Sequence, residues 1–375
     1  MFSYYKEALK RFIDLSTNDP ASVLAKENAL QGLATLLKCY KNNGLSYNNL
    51  YIVALPDFTY TRNKLRWNAG FSYGCILFLD QTTDPIIPLE ARPNACGIIF
   101  SKISDWEENE VKFCDKILDV FSSYDEIDKG DFQKRNHFFA VYATEDKKNF
   151  YALLHGSFSK VKRDTDQRPG LYVDRSMYWQ NNSHKISLGS ENYHYLIGDK
   201  ATQYYNLYTE HEQFSILYRE KLFNDLFGEH QVLSNSTHEG FHDISTLLLG
   251  AYASEKMFET PLMLSPDSLL PLISISKTIE ELTSGKVKKC LYCTPHGGGY
   301  QLEGVSDAAI AYRDEGKYHS PYFSLNFKGL SYNLYAKNIA DLPFKYRKNT
   351  ASVWCSDFGA GRIQKNLVPI FSTKI

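Results

Sequence analysis

A series of short apolar runs sets the main constraint on how this chain can fold. Each run has four to six residues, and turns rich in Pro, Gly, Asn or Asp separate them; they lie at 51–55, 74–79, 96–100, 138–142 and 151–154. Apolar runs this short, bounded by turn residues, are typical of buried β-strands and too short for most helices. The sequence therefore predicts a sheet built from residue 50 onwards.

Helical periodicity appears before and between these runs. Residues 1–43 place Tyr5, Leu9 and Phe12 on one helical face, and the segment 190–227 reads as one or two long helices. Strands and helices together predict an α+β fold. The chain has 375 residues, which allows one large domain or two closely packed ones. Because no linker or low-complexity segment divides it, we expect a single domain over 1–375, with 1–45 as an N-terminal helical segment.

Charge and cysteine content limit the class of protein. Lys+Arg of 42 against Asp+Glu of 43 gives a net charge of −1, so RNA contacts would depend on local basic runs such as 160–163 and 345–348. The seven cysteines are scattered, and the sequence shows no signal peptide or long apolar run. We therefore expect a reduced, cytoplasmic setting without a membrane segment.

One loop presents a histidine in a setting suited to phosphate chemistry. His296 lies between Pro295 and three glycines at 297–299. Proline fixes the approach to the histidine, while glycines allow positive φ and close backbone approach, as a phosphate-wrapping loop requires. The alternative is a glycine turn that ends a strand and carries the histidine incidentally.

Four further side chains are candidate metal ligands. Cys96, His137, His155 and His238 each lie at a strand end or in a turn, and a hairpin would bring His137 and His155 together. A thiolate with imidazoles suits Mn²⁺, Zn²⁺, Fe or Co²⁺. The alternative for each histidine is a hydrogen-bonded structural role.

A second metal hypothesis combines Cys290 and Cys293 with His238 and His242 as a zinc site. Zinc nucleobase deaminases also use a Cys-x-x-Cys pair, but they require a His-x-Glu upstream, which the 210–212 Glu-His-Glu does not provide. The competing interpretation is that both cysteines lie on a strand leading to His296.

The order of the motifs is more specific than any one of them. In chain order they are Leu55-Pro56-Asp57, Ile87-Pro88, Ala95-Cys96-Gly97, Asn136-His137-Phe138, Leu154-His155-Gly156-Ser157, His238, Pro266-Asp267-Ser268, His296-Gly297-Gly298-Gly299, Tyr346-Arg347 and Lys374. From about residue 50 to the end, this set resembles the RtcB family of GTP-dependent RNA ligases.

The resemblance implies a role for each matching residue. Cys96 would bridge two Mn²⁺ ions, with His137 on one ion and His155 and His238 on the other. His296 would become covalently guanylylated. The residues that would contact the guanylate are Asn136, Ser268, Tyr346 and Lys374.

The chain also departs from the family pattern. Pro93 stands where the family has a metal-binding aspartate, Tyr300 where it has an arginine, and Ala140 where it has a glutamate. Thr59 replaces a histidine, and Asp267 replaces the glycine of the Pro-Gly-Ser turn. The missing aspartate predicts one firmly held ion and a second that binds weakly, unless Asn94 or Asp57 replaces the lost carboxylate.

The resemblance implies an RtcB-like domain, with sheets around a central metal cleft and helices outside. The implied function is GTP- and Mn²⁺-dependent joining of RNA 2′,3′-cyclic phosphate or 3′-phosphate ends to 5′-hydroxyl ends through a histidine–GMP intermediate. The partners would be broken RNAs, tRNA among them, with or without a protein activator. The alternative is a catalytically degenerate relative that binds RNA ends or metal without ligating.

Overall fold

The structure is a computed structural model that describes residues 2–104, 106, 109–123, 137–188, 191–315, 318–327, 330–336 and 338–373. Two of the predicted guanylate contacts, Asn136 and Lys374, lie outside these residues. The described helices are α1 (Phe2–Arg11), α2 (Pro20–Asn42), α3 (Lys64–Asn68), α4 (Glu110–Ser122), α5 (Met177–Asn182), α6 (Asp199–Phe227), α7 (Ile279–Leu282) and α8 (Thr350–Ser352). A π-helix, Val353–Asp357, follows α8 directly.

The described strands are β1 (Phe12–Asp14), β2 (Tyr51–Thr59), β3 (Tyr73–Phe78), β4 (Ile86–Pro88), β5 (Cys96–Ile103), β6 (Phe138–Ala143), β7 (Phe150–Gly156), β8 (His184–Leu188), β9 (Glu191–Ile197), β10 (His230–Asp243), β11 (Thr246–Leu249), β12 (Ala251–Ser254), β13 (Glu259–Pro261), β14 (Leu270–Ile275), β15 (Tyr292–Pro295), β16 (Tyr300–Gln301), β17 (Val305–Glu315), β18 (Tyr318–Phe327), β19 (Leu330–Ala336), β20 (Lys345–Tyr346) and β21 (Gly361–Thr373). All five predicted apolar runs are strands, so that prediction is confirmed.

Eleven strands form one sheet in the order β1-β2-β3-β11-β10-β5-β7-β6-β21-β14-β13. Only the β1–β2 pairing is parallel within this sheet; every other pairing is antiparallel. Smaller sheets are β4-β9-β8, β12-β15, β16-β20 and β17-β18-β19. The fold is therefore mixed α+β, as predicted, and the sheet centre is formed by β10, β5, β7 and β6.

Several strands of the large sheet, among them β2, β3 and β5–β7, are buried on both faces. On β2 and β3, Ile52 and Leu77 pack in one hydrophobic cluster with α2 and α6, while Val53 and Ile76 pack in another beneath the π-helix. The same alternation divides β5–β7 between a cluster with α4 and α6 and a cluster on the opposite face. Burial on both faces explains why the strands read as continuous apolar runs instead of alternating ones.

The predicted helix over 190–227 is wrong at its beginning. Residues Glu191–Ile197 form β9, and the helix begins only at Asp199. In β9, Tyr193 and Tyr195 are both buried at alternate positions, and the strand pairs with β4 and β8. Aromatic residues at period two favour a strand, and tertiary pairing decides the outcome here. Among the described residues, no helix combines the length and the apolar character needed to cross a membrane.

Candidate metal centre

Cys96 is held at the first position of β5 by a tight backbone arrangement. The Asn94 side chain accepts a hydrogen bond from the Cys96 amide at 2.8 Å, and the amides of Asn94 and Ala95 both donate to the Glu239 carbonyl at 3.0 Å. Ala95 has a φ of 53°, a left-handed conformation that is uncommon for residues other than glycine. These bonds fix the direction of the thiol.

His137 and His155 lie on either side of this thiol. Phe138, which follows His137, pairs with His155 across β6 and β7, and His155 in turn pairs with Ile98 on β5. The Cys96 Sγ is 3.4 Å from His137 Nε2 and 3.5 Å from His155 Nε2. The predicted meeting of the two histidines is therefore confirmed.

His238 reaches the group through a β-bulge. Thr237 pairs with Gly97 and Glu239 with Cys96, so His238 is the extra residue of β10 at this point. Bulges redirect a side chain at such sites. The His238 Nε2 lies 3.3 Å from His155 Nε2, and its Nδ1 is 2.9 Å from the Tyr252 hydroxyl.

The electrostatic setting of His238 suits a metal ligand. Burial, and then the neighbouring imidazole of His155, hold the pKa of His238 well below its usual range. Burial likewise raises the pKa of Tyr252, so the phenol keeps its proton. A neutral imidazole is the form that coordinates a metal.

A buried arginine from α6 lies behind the thiol. Arg219 donates to the Ala95 carbonyl at 3.2 Å and to the Asn235 side chain at 3.0 Å. Burial lowers the pKa of Arg219 to about 10, against the opposing effect of Cys96. The guanidinium therefore remains charged at neutral pH, and a cation beside a thiol favours the thiolate that binds metals.

The spacing of the donor atoms fits a divalent ion. Sγ and two Nε2 atoms of Cys96, His137 and His155 all lie within 4.8 Å of one another, and all three residues are buried. With bonds of 2.3 Å to sulfur and 2.0–2.1 Å to nitrogen, donors on a tetrahedral ion are about 3.5 Å apart for S–N pairs and about 3.3 Å for N–N pairs. The two S–N separations within this group, 3.4 and 3.5 Å, agree with the first of these values. The Cys96–His137–His155 group can therefore hold a metal ion.

His296 lies next to this group and is oriented by Asp57. Its Nδ1 is 2.7 Å from Asp57 Oδ2, which also accepts the Gly297 amide at 2.9 Å. Where the Asp57 carboxylate accepts this bond, Nδ1 carries the proton, and in the neutral imidazole Nε2 then has the lone pair. The His296 and His238 ring centroids are 5.4 Å apart.

Two glycines of the loop have no room for a side chain. A Cβ on Gly297, which has a φ of 115°, would lie 2.4 Å from the Met263 carbonyl oxygen, and a Cβ on Gly299 would lie 2.2 Å from that of Asp57. The loop therefore packs directly onto the backbone that carries the His296 partner.

Of the predicted guanylate contacts, Ser268 and Tyr346 lie within the described residues. The Ser268 hydroxyl is bonded to Ser265 at 2.6 Å, and the Tyr346 ring packs on Tyr300 of the glycine loop with centroids 5.8 Å apart. Burial raises the pKa of Tyr346, and the Asp267 carboxyl group adds to this effect. Within the described residues, neither Ser268 nor Tyr346 contacts His296.

Two of the positions that differ from the RtcB pattern are occupied by packing residues. Ala140 is fully buried in the apolar core, and the Tyr300 ring packs 4.6 Å from that of Phe344. The Asn94 side-chain oxygen accepts a hydrogen bond from the Cys96 amide, and its nitrogen donates to the Tyr172 hydroxyl. Asp57 Oδ2 is bonded to His296 Nδ1. Each of the two candidate replacements for the lost carboxylate therefore has at least one oxygen already engaged.

The structure does not support the zinc site at Cys290 and Cys293. His238 is turned towards His155, with their Nε2 atoms 3.3 Å apart, and Cys293 is buried in β15 with its thiol 3.6 Å from the Thr294 carbonyl. Burial raises the pKa of Cys293, which opposes the thiolate that zinc requires. Among the described residues, the Cys96 group is the only set of three such ligands close enough to share an ion.

Sequence reasoning missed two residues that support the site, Arg219 and Tyr252, and it missed the role of Asp57. Arg219 lies 123 positions after Cys96 in the chain, Tyr252 lies on a different strand, β12, and the contact of Asp57 with His296 joins positions 239 apart. No local pattern predicts contacts across such separations.

The chain matches no protein-family model, and no curated protein matches it either.

Proposed function

We propose that this protein is a divergent RtcB-like enzyme of the cytoplasm that joins RNA ends with a 2′,3′-cyclic phosphate or 3′-phosphate to ends with a 5′-hydroxyl. GTP is the proposed nucleotide and Mn²⁺ the proposed metal. The observation that carries the proposal is the position of His296, whose Nδ1 is bonded to Asp57 and whose ring lies 5.4 Å from that of His238, beside the Cys96 group. A nucleophilic imidazole next to a metal centre is the arrangement that nucleotidyl transfer to histidine requires.

In the proposed reaction, the first step takes place at His296. His296 Nε2 attacks the α-phosphorus of GTP; the N–P bond forms, the bond to the bridging oxygen breaks, and pyrophosphate leaves. Asp57 holds the ring and stabilises the positive charge that develops on it. A divalent ion held by Cys96, His137 and His155 would neutralise phosphate charge during this transfer, and His238 would help Cys96 and His155 to hold a second ion.

The later steps restore the histidine. An oxygen of the RNA 3′-phosphate attacks the phosphorus of histidine–GMP, and the N–P bond breaks. The RNA 5′-hydroxyl then attacks the activated 3′-phosphate, its proton is lost, and GMP leaves. A 2′,3′-cyclic end first needs water to open it to the 3′-phosphate.

Labelling with α-³²P GTP and Mn²⁺ tests the first step. We expect an acid-labile protein–GMP adduct that His296→Ala abolishes, while His242→Ala, which changes an exposed histidine, leaves it intact. A label that persists in His296→Ala would remove His296 from the reaction. RNA bearing a 3′-phosphate and a 5′-hydroxyl should be sealed, whereas a 3′-hydroxyl with a 5′-phosphate should not.

A second function is favoured by burial and by the substituted positions. The five side chains Cys96, His137, His155, His238 and His296 are only 0–7% exposed, and the family's aspartate, arginine and glutamate are replaced. A metal-bound protein that holds RNA ends without ligating would have these properties. Specific binding of 3′-phosphate RNA, with a tightly held ion and no protein–GMP, would identify this function.

A further inference from the structure

The N-terminal segment contacts the candidate site through one ion pair, between the partly buried Asp19 and the fully buried Arg347. Asp19, the N-cap of α2, is bonded through Oδ2 to Arg347 Nη2 at 2.5 Å, while its Oδ1 accepts the Ala21 and Ser22 amides that begin the helix. Arg347 is 0% exposed. A guanidinium buried this deeply depends on its carboxylate partner.

The same guanidinium donates hydrogen bonds to the strand that carries Asp57. Arg347 Nη1 donates to the carbonyls of Pro56 at 2.7 Å and Phe58 at 3.2 Å, the two residues on either side of Asp57. The direction of the Asp57 side chain is therefore set by backbone that Arg347 holds.

Arg347 also holds the loop that carries His296. Its Nη2 donates to the Tyr300 carbonyl at 3.3 Å, and its backbone amide donates to the Gly299 carbonyl at 2.7 Å. One residue thus bonds both segments whose meeting forms the His296–Asp57 hydrogen bond.

The N-terminal segment is docked on the same strand by independent contacts. Strand β1 pairs in parallel with β2 from Phe12↔Ile52 to Asp14↔Ala54, and the Leu15 amide donates to the Ala54 carbonyl at 2.9 Å. This pairing ends three residues before Asp57. Asp19 is therefore presented to Arg347 from a fixed position.

We propose that Asp19 and Arg347 are positioning residues for His296, and that the N-terminal segment is part of the site although it lies outside the family motifs. The ion pair fixes the 56–58 backbone against the 299–300 backbone, and this keeps Asp57 in line with His296 Nδ1. Its effect on catalysis rests on the proposed function, but its effect on the His296 ring does not.

The test is the ring-nitrogen NMR spectrum of protein labelled with ¹⁵N in its histidine side chains. His296 signals are assigned by their loss in His296→Gln, and the wild-type ring should be protonated at Nδ1. Because a misplaced Asp57 no longer selects this tautomer, Asp19→Asn should shift the ratio about tenfold towards Nε2–H. Asp14→Asn, which breaks the more exposed Lys26 pair on the same segment, should leave the ratio unchanged.

A second variant covers the case in which Asp19→Asn does not fold. Combining Asp19→Asn with Arg347→Gln removes both charges, so no uncompensated ion remains buried. If the pair serves only stability, the folded double variant keeps the wild-type His296 spectrum, and this result would overturn the proposal. A shifted tautomer ratio in the double variant would support it.

Protein–GMP labelling of the same variants separates the two proposals. We expect Asp19→Asn to lower the rate of adduct formation at least about tenfold, with Asp14→Asn unaffected. If the wild-type protein forms no adduct, the ligase proposal fails, whereas the ring-nitrogen comparison still decides whether Asp19 positions His296.

Discussion

Cys96 is the residue on which the metal hypothesis depends most. Its thiol lies between His137 and His155, at 3.4 and 3.5 Å, so removal of the sulfur separates the two imidazoles from their common neighbour. Three donors that include a thiolate bind a divalent ion firmly.

We predict about one tightly held ion per chain in dialysed, nucleotide-free protein, because the family's aspartate is absent. Cys96→Ala should lose this ion by elemental analysis. Cys293→Ala removes a buried thiol outside the group and should retain it. Two tight ions would show that another oxygen ligand completes a second site, and no ion would contradict the metal assignment.

The buried side chain of His211 should make the free energy of unfolding depend on pH. Its ring is buried on α6, its Nε2 donates to the Pro169 carbonyl at 3.3 Å, and burial lowers its pKa to about 4. Between this value and the unfolded value of about 6.5, the unfolded chain binds a proton that the folded chain does not. The stabilisation is therefore complete above pH 6.5 and is lost as the pH falls.

Urea unfolding at pH 7.5 and pH 5 measures this contribution. We expect the loss of unfolding free energy over this range to be about 2 kcal/mol smaller in His211→Gln than in the wild type. His242→Gln, at an exposed position, should leave the loss unchanged. Equal pH dependence in wild type and His211→Gln would contradict the assignment.

At the scale of elements, a buried ion pair ties the short helix α3 to the bulged strand β10. Arg66 Nη1 is 2.7 Å from Glu239 Oε2, with side chains 1% and 4% exposed. Glu239 follows His238, and its carbonyl holds the loop before Cys96. The pair therefore links α3 to the metal group.

Arg66→Met should lower the free energy of unfolding by about 3–5 kcal/mol, because it leaves the Glu239 carboxylate buried without its partner. The double variant with Glu239→Leu should recover most of this loss. Lys221→Met, at the exposed Lys221–Asp225 pair of α6, should change stability by less than about 1 kcal/mol. A small loss in Arg66→Met alone would show that water compensates the carboxylate.

At the scale of the whole molecule, the large sheet joins the ends of the chain. It contains β1, from residue 12, and β21, to residue 373, and the strands between them come from most of the sequence. Unfolding any part of the sheet exposes strands that belong to distant segments. We therefore predict one cooperative thermal transition, with equal calorimetric and van't Hoff enthalpies. Two separated transitions would contradict the single domain predicted over 1–375.

Elements with local causes could be predicted from the sequence. Buried strands need continuous apolar residues, and the five apolar runs that predicted them are visible in the chain. The sequence also identified Cys96, His137, His155 and His238 as ligand candidates and predicted the hairpin that joins two of them. Where a segment had mixed signals, as at Glu191–Ile197, local pattern failed because strand pairing outweighs propensity.

Only the tertiary structure decided which side chains meet. The pairing of Asp57 with His296 spans 239 positions, and that of Asp19 with Arg347 spans 328. The bulge that turns His238 towards His155 depends on how β10 pairs with β5. Hydrogen bonds and ion pairs of this kind form between segments brought together by the sheet order, and no periodicity in the sequence encodes that order. The residue types at the candidate site could therefore be picked out from the sequence, whereas the contacts that bring them together could not.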